Sequence, residues 1–204
     1  MEAVLVAAGE VGYREASVRA ILEHSGGHRA QFYRHFESRE DCFAQAYATW
    51  AQRLCVDLLE AAASAPGWEA GVRAALVDLF RFVTRRPEIA RALFVEVQIA
   101  GEPALARHEA MVERAAAALD AARLEIEPDL APPEATGVFV VGGIESCVCE
   151  ALSAGDPNRI WEALPELMHL AVGSYFDKEA AEAAFEEASI MLERDRATLL
   201  GEAG

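Results

Sequence analysis

From Ser38 to Leu58 the apolar residues Phe43, Tyr47, Trp50, Leu54 and Leu58 recur every three or four positions, with small and charged residues between them. That period belongs to a helix, whereas a half-buried strand would need strict alternation. The same spacing returns at Val4, Leu5, Ala8 and Val11, at Val72, Leu76, Leu79, Phe80 and Val83, and at Ile89, Leu93, Phe94 and Val97. It returns again at Ile160, Leu164, Leu167, Leu170 and Ala171. A chain patterned this way along nearly its whole length is expected to be all-α.

Local signals divide the pattern into helices. The first is expected over Glu2 to Val11, and Ser17 is placed to cap a short second one. Gly26 and Gly27 end that helix, and a third follows from about His28 to His35. Ser38 with Asp41 three residues later reads as a capping box that opens the long fourth helix. This helix fades in the Ala-Ser-Ala-Pro-Gly stretch that ends at Gly67. Further helices are expected from Glu69 to Arg85, after Pro87, from Pro103 to about Leu124, and from about Lys178 to Leu200. Pro128, Pro132 and Pro133 mark a loop. The run from Gly137 to Leu152 is apolar on almost every face. A helix packed on two sides is the expectation there, with a buried strand as the alternative.

Hydrophobic residues form 53% of the 204, which suits a folded core and excludes a disordered chain. The length fits one large domain or a small one joined to a larger. Met1 is followed by Glu2, with no basic n-region. The uncharged stretch Ala135 to Ile144 falls short of the roughly 18 residues of a membrane span. A soluble, cytoplasmic protein with no membrane partner is therefore expected. Cysteines 42, 55, 147 and 149 contain no C-x-x-C pair and read as free thiols. No phosphate-binding glycine loop, H-E-x-x-H or G-x-S-x-G motif is present. His108 and His169 have no ligand-spaced neighbours. No catalytic residue, metal site or cofactor is expected.

Charge is distributed unevenly. The formal net charge is -16, yet His24 to Arg39 carries Arg29, Arg34 and Arg39 against Glu37 alone. A basic patch on an acidic protein marks contact with something negative. Two short helices joined by a glycine turn have the proportions of a helix-turn-helix, whose second helix enters the major groove of DNA. Arg29 and Gln31 can bond base edges, and Ala30 permits close approach to a thymine methyl. Tyr33, Arg34, His35 and Arg39 can reach phosphates, and Ser17 offers its hydroxyl and helix N-terminus to another. His28, at the head of the segment, belongs to the same set. Phe32 and Phe36 anchor the helix.

The residues 12-GY-13, 17-SVRAI-21, Gly26 and above all 32-FYRHFESRED-41 resemble the DNA-binding region of the TetR family of bacterial transcriptional regulators. The resemblance implies that Arg29, Ala30 and Gln31 face bases, while Ser17, Arg19, Tyr33, His35 and Arg39 contact the backbone. It implies a helix-turn-helix domain over residues 1–47 and a helical ligand-binding and dimerisation domain over 48–204. Family members often carry a basic tail before the first helix; here Met1 falls at about its first residue.

More weakly, residues 141–176 are similar to the two helices that many members pair across a dimer axis. Val141, Gly142, Ile144, Glu145, Val148, Leu164, Leu167, Met168, Ala171 and Tyr175 are the expected interface. Trp50, Phe80, Phe94, Gln98, His108, Met111 and Phe139 are candidates for lining a ligand pocket, being large or polar residues on small-residue helices. The function expected is a homodimeric repressor released from operator DNA by a small molecule. The alternatives are a helical interaction protein without operator binding and an all-α enzyme.

Overall fold

The computed structural model describes residues 1–126 and 131–199, and among these it contains ten α-helices and no strand. The strand alternative for 137–152 is thereby removed. Pro128 and Leu200 lie outside the described residues.

Helix α1 (Glu2–Val11) is followed by α2 (Val18–Ser25) and α3 (Arg29–His35). Ser17 caps α2, its hydroxyl oxygen accepting from the Ala20 amide at 3.3 Å. Gly26 ends α2 in the left-handed region at φ 64°, which allows the chain to turn sharply into α3. Ile21 and Phe32 are the buried anchors of these two helices.

Helix α4 (Arg39–Ala63) is a single span of 25 residues, about 37 Å at the helical rise. At its start the Ser38 hydroxyl accepts from the Asp41 amide at 3.0 Å, and the Asp41 carboxylate reaches back to the Glu37 amide, also at 3.0 Å. The reciprocal half of this cap thus lies one residue before the N-cap. Phe43 and Tyr47 are fully buried and Tyr13 packs edge-on against Phe43, tying the long helix to the first turn.

Helices α5 (Trp68–Arg85), α6 (Pro87–Phe94) and α7 (Glu102–Leu119) complete the first half of the larger bundle. The expected helix to Leu124 stops at Leu119 and tightens into a 3₁₀ turn over Asp120–Glu125. Helix α8 (Thr136–Ser153) follows, then a 3₁₀ segment, Pro157–Ala163, then α9 (Leu164–Gly173) and α10 (Lys178–Leu199). One helix was expected where the 3₁₀ segment and α9 stand. Pro165 has no amide to donate, so it sits in the first turn of a new helix rather than inside an old one.

Helix α8 has the length and composition of a membrane span, with Glu145 and Glu150 interrupting it. Its inner face packs against α6, α7 and α9. Helix α1 packs against α6 as well as α2 and α4, so one apolar core runs unbroken from the small N-terminal unit into the larger bundle.

Candidate functional site

Helix α3 presents its polar side chains outward. Arg29, Ala30, Gln31, Tyr33, Arg34 and His35 are all exposed, and His28 is exposed at its N-cap. The Arg29 guanidinium lies 5.7 Å from the Tyr33 ring centroid, so these two groups share one patch. Phe32 points the opposite way, packed between Tyr33 and Phe36 at 5.2 Å each. The helix is held by its apolar side and offers the other for recognition. Arg19 stands on the same exposed end in an i,i+4 pair with Glu23, a contact worth little in water.

Arg39 has structural partners that the sequence reading did not include. Its guanidinium donates to the Tyr13, Arg14 and Ala16 carbonyls at 3.0, 3.1 and 3.4 Å. It also pairs with Glu40 and lies 4.5 Å from the Tyr13 ring centroid. Arg39 therefore clamps the α1–α2 connection onto the start of α4.

A second feature lies in the larger bundle. A cavity of about 660 Å³ runs between α4, α5, α7 and α8. Leu54, Leu58, Trp68, Leu76, Val112 and Ile144 are among its walls. It is wide at the end formed by residues 63–67 and 118–124, where Ala63, Gly67, Ala121 and Leu124 are exposed. Phe94, Met111 and Glu145 lie toward the opposite, inner end. The Trp68 indole N–H donates to the Leu119 carbonyl at 3.0 Å, and its ring packs on Tyr175 and Phe176, which fixes the wall at the wide end.

Glu145 is the one charged residue among the described lining residues. Burial pushes its carboxyl up to about 7. Beside it, the Tyr47 hydroxyl lies 3.0 Å from His108 Nδ1, and the Gln98 amide nitrogen lies 3.3 Å from His108 Nε2. Both ring nitrogens of His108 are thus engaged, one by the Tyr47 hydroxyl and one by the Gln98 amide. Burial also holds His108 below the usual imidazole range, in its neutral form. His108 Nε2 stands 3.5 Å from Glu145 Oε1, and that buried oxygen has no hydrogen-bond partner.

Of the pocket candidates, Phe94 and Met111 line the cavity, while His108 and Gln98 stand behind Glu145. Three do not take part. Phe80 is fully buried against Trp161, Trp50 lines a separate cleft beside Arg53 and Arg86, and Phe139 is 77% exposed on the outside of α8. The aromatic stripe alone does not reveal which side of a helix is hollow. Trp68, Val72 and Glu145 were missed for that reason.

The expected interface residues also divide. Val141, Val148, Leu164, Leu167, Met168, Ala171 and Tyr175 are buried within the protomer, and Ile144 and Glu145 turn toward the cavity. Only Gly142 of that set is exposed. The outer face is instead made by Val138, Phe139 and Gly142 on α8, Leu170 on α9, and Phe185 and Ile190 on α10.

The decisive comparison concerns the N-terminal unit. Residues 2–46 match the family model described as "Bacterial regulatory proteins, tetR family", which spans α1, α2, α3 and the start of α4. The N-terminal unit of the chain is thus similar to the TetR family. The bundle that follows has a TetR-type fold by comparison with solved structures. The fatty acid degradation regulator FadR from Bacillus halodurans superposes with a TM-score of 0.71 at 14% identity, covering 84% of this chain and 95% of its own. FadR from Bacillus subtilis, solved in complex with stearoyl-CoA, gives 0.70 at 14% identity, with 85% and 98% covered. TylP, a TetR regulator from Streptomyces fradiae, gives 0.59 at 19%, with 99% and 95% covered. No curated protein sequence matches the chain.

Proposed function

We propose that this TetR-type chain is a homodimeric, ligand-responsive regulator that binds operator DNA in the bacterial cytoplasm through α3 and is released when a small molecule fills the bundle cavity. Residues 1–47 form the reading unit and 48–204 the sensing and pairing unit. One observation carries the reading: the exposed recognition helix and the apolar cavity are served by the same rigid element. Helix α4 begins beside α3, and its later turns supply Leu54, Cys55 and Leu58 to the cavity wall. A ligand that fits one tilt of α4 better than another shifts the population by that difference in affinity. In a dimer the tilt alters the separation of two reading helices, which must stay about one DNA turn apart. One structure of similar fold, FadR from Bacillus subtilis, was solved in complex with a small molecule, stearoyl-CoA.

The test is binding of the purified protein to DNA flanking its own gene at two salt concentrations. Specific binding that weakens steeply with salt is the expected result, because phosphate contacts release counterions. Absence of any sequence preference would overturn the regulator assignment.

Pairing is proposed through the outer face of α8, α9 and α10, because Phe139 and Ile190 are 77% and 63% exposed there. Large apolar side chains left this exposed are more typical of interfaces than of open surface. The wild type is expected to sediment as a dimer at micromolar concentration. Phe139→Glu combined with Ile190→Glu is expected to give a folded monomer, since both side chains lie outside the protomer core. A wild-type monomer, or a charged variant that still pairs, would refute this face.

A further inference from the structure

We infer that the cavity selects an amphiphilic amine, a molecule with an apolar body and a cationic nitrogen that donates to Glu145. This rests on the cavity being the effector site, and it adds the chemical class of the effector.

The walls admit an apolar body and little else. Apart from Glu145 the described lining is apolar, mostly alanines, leucines and valines with Trp68, and no arginine or lysine is among it. An anionic group carried to the inner end would meet no counter-charge there, only another carboxyl. A plain hydrocarbon end would leave Glu145 Oε1 buried without a donor, at the full desolvation cost of that oxygen. The neighbouring groups cannot repair this. His108 is neutral and 3.5 Å away, and the Tyr47 hydroxyl and the Gln98 amide nitrogen are directed at its ring and make no hydrogen bond to Oε1. The missing partner is thus a donor, and a charged one contributes most opposite a carboxylate in a water-poor site.

Two further observations favour a cation. The acidic chain as a whole draws positive ligands toward itself. The carboxyl raised to about 7 by burial is the state expected of an acid waiting for a counter-ion; an ammonium would restore its ionised form.

The experiment is calorimetric titration at pH 8 with n-decylamine, n-decanol and decanoate, which share one hydrocarbon body and differ in the head group. The amine is expected to bind tightest and decanoate weakest. Glu145→Gln, which keeps the shape, is expected to weaken the amine by about tenfold to a hundredfold, the loss of a charge-assisted bond. The same variant should leave decanol within a few-fold, and Glu145→Leu should invert the order in favour of the uncharged probe. Decanol or decanoate binding as well as the amine, unchanged in Glu145→Gln, would overturn the amine assignment while leaving the cavity as the effector site. If none of the three binds, the cavity reading fails and the amine assignment with it.

Discussion

Operator affinity is expected to fall by roughly a hundredfold to ten-thousandfold when Arg29, Gln31 and Tyr33 are replaced together by alanine. Each base-edge pair of the Arg or Gln type contributes about 1–3 kcal/mol of discrimination, and two such pairs are removed. The loss of Arg29 also removes a positive charge, so the slope of log affinity against log salt should become shallower by about one. Stability should hardly change. All three side chains are exposed, Tyr33 alone touching the core through its edge-on contact with Phe32, and surface substitutions stay within about 0.5 kcal/mol. A gel-shift titration with the triple variant, paired with a melting curve, separates lost recognition from lost folding. Undiminished operator binding would remove α3 as the reading helix.

Gly9→Ala is expected to lower stability, although the opposite sign is usual. Inside an open helix, glycine to alanine stabilises by about 0.5–1 kcal/mol. At position 9 the added Cβ would stand 2.0 Å from the Glu88 carbonyl oxygen and 2.5 Å from its carbon. Those are backbone atoms at the start of α6, so no side-chain rotation relieves the contact. Overpacking of this kind costs about 1–3 kcal/mol, and for a chain of this size each kcal/mol lowers Tm by about 2–4 °C. The effect should reach beyond stability, because α1 carries the reading unit and α6 belongs to the sensing bundle. The two are tied by further contacts: Arg86 to Glu2 at 2.8 Å, and the Tyr13 amide to the buried Glu96 carboxylate at 2.8 Å. Arg91 holds Glu96 from behind and donates to the Leu152 carbonyl on α8. A melting curve for Gly9→Ala that matches or exceeds the wild type would show that this contact does not fix the joint.

The sequence made the helices legible because their ends are written in local chemistry. Ser17, Gly26, Ser38 with Asp41, and Pro87 each act within a few residues of themselves, and the structure places boundaries at all four. The outward set on α3 was legible for the same reason, since one buried Phe32 on a seven-residue helix fixes which side is free. The clamp made by Arg39 was not legible because its partners, the Tyr13, Arg14 and Ala16 carbonyls, are brought near only by folding. Helix α8 misled more deeply. It is apolar on almost every side, so its period does not say which side meets the core, which meets the cavity and which meets the outside. Glu145 was read as interface when it faces inward, and Phe139 as pocket when it faces out. Only the positions of α7 and α9 resolve that ambiguity.

The placement of α8 has a consequence for how such a protein changes over generations. One side of this helix closes the cavity through Val141, Ile144 and Glu145, and the other carries the exposed Val138, Phe139 and Gly142. The walls from α4, α5 and α7 can drift to suit a new molecule with no effect on the outer face. A substitution on α8 that turns the helix to favour a different effector also re-aims the residues opposite. On the proposed reading, effector preference and self-recognition are inherited together on that one helix, and a lineage that acquires a new signal through it must settle its choice of partner in the same step.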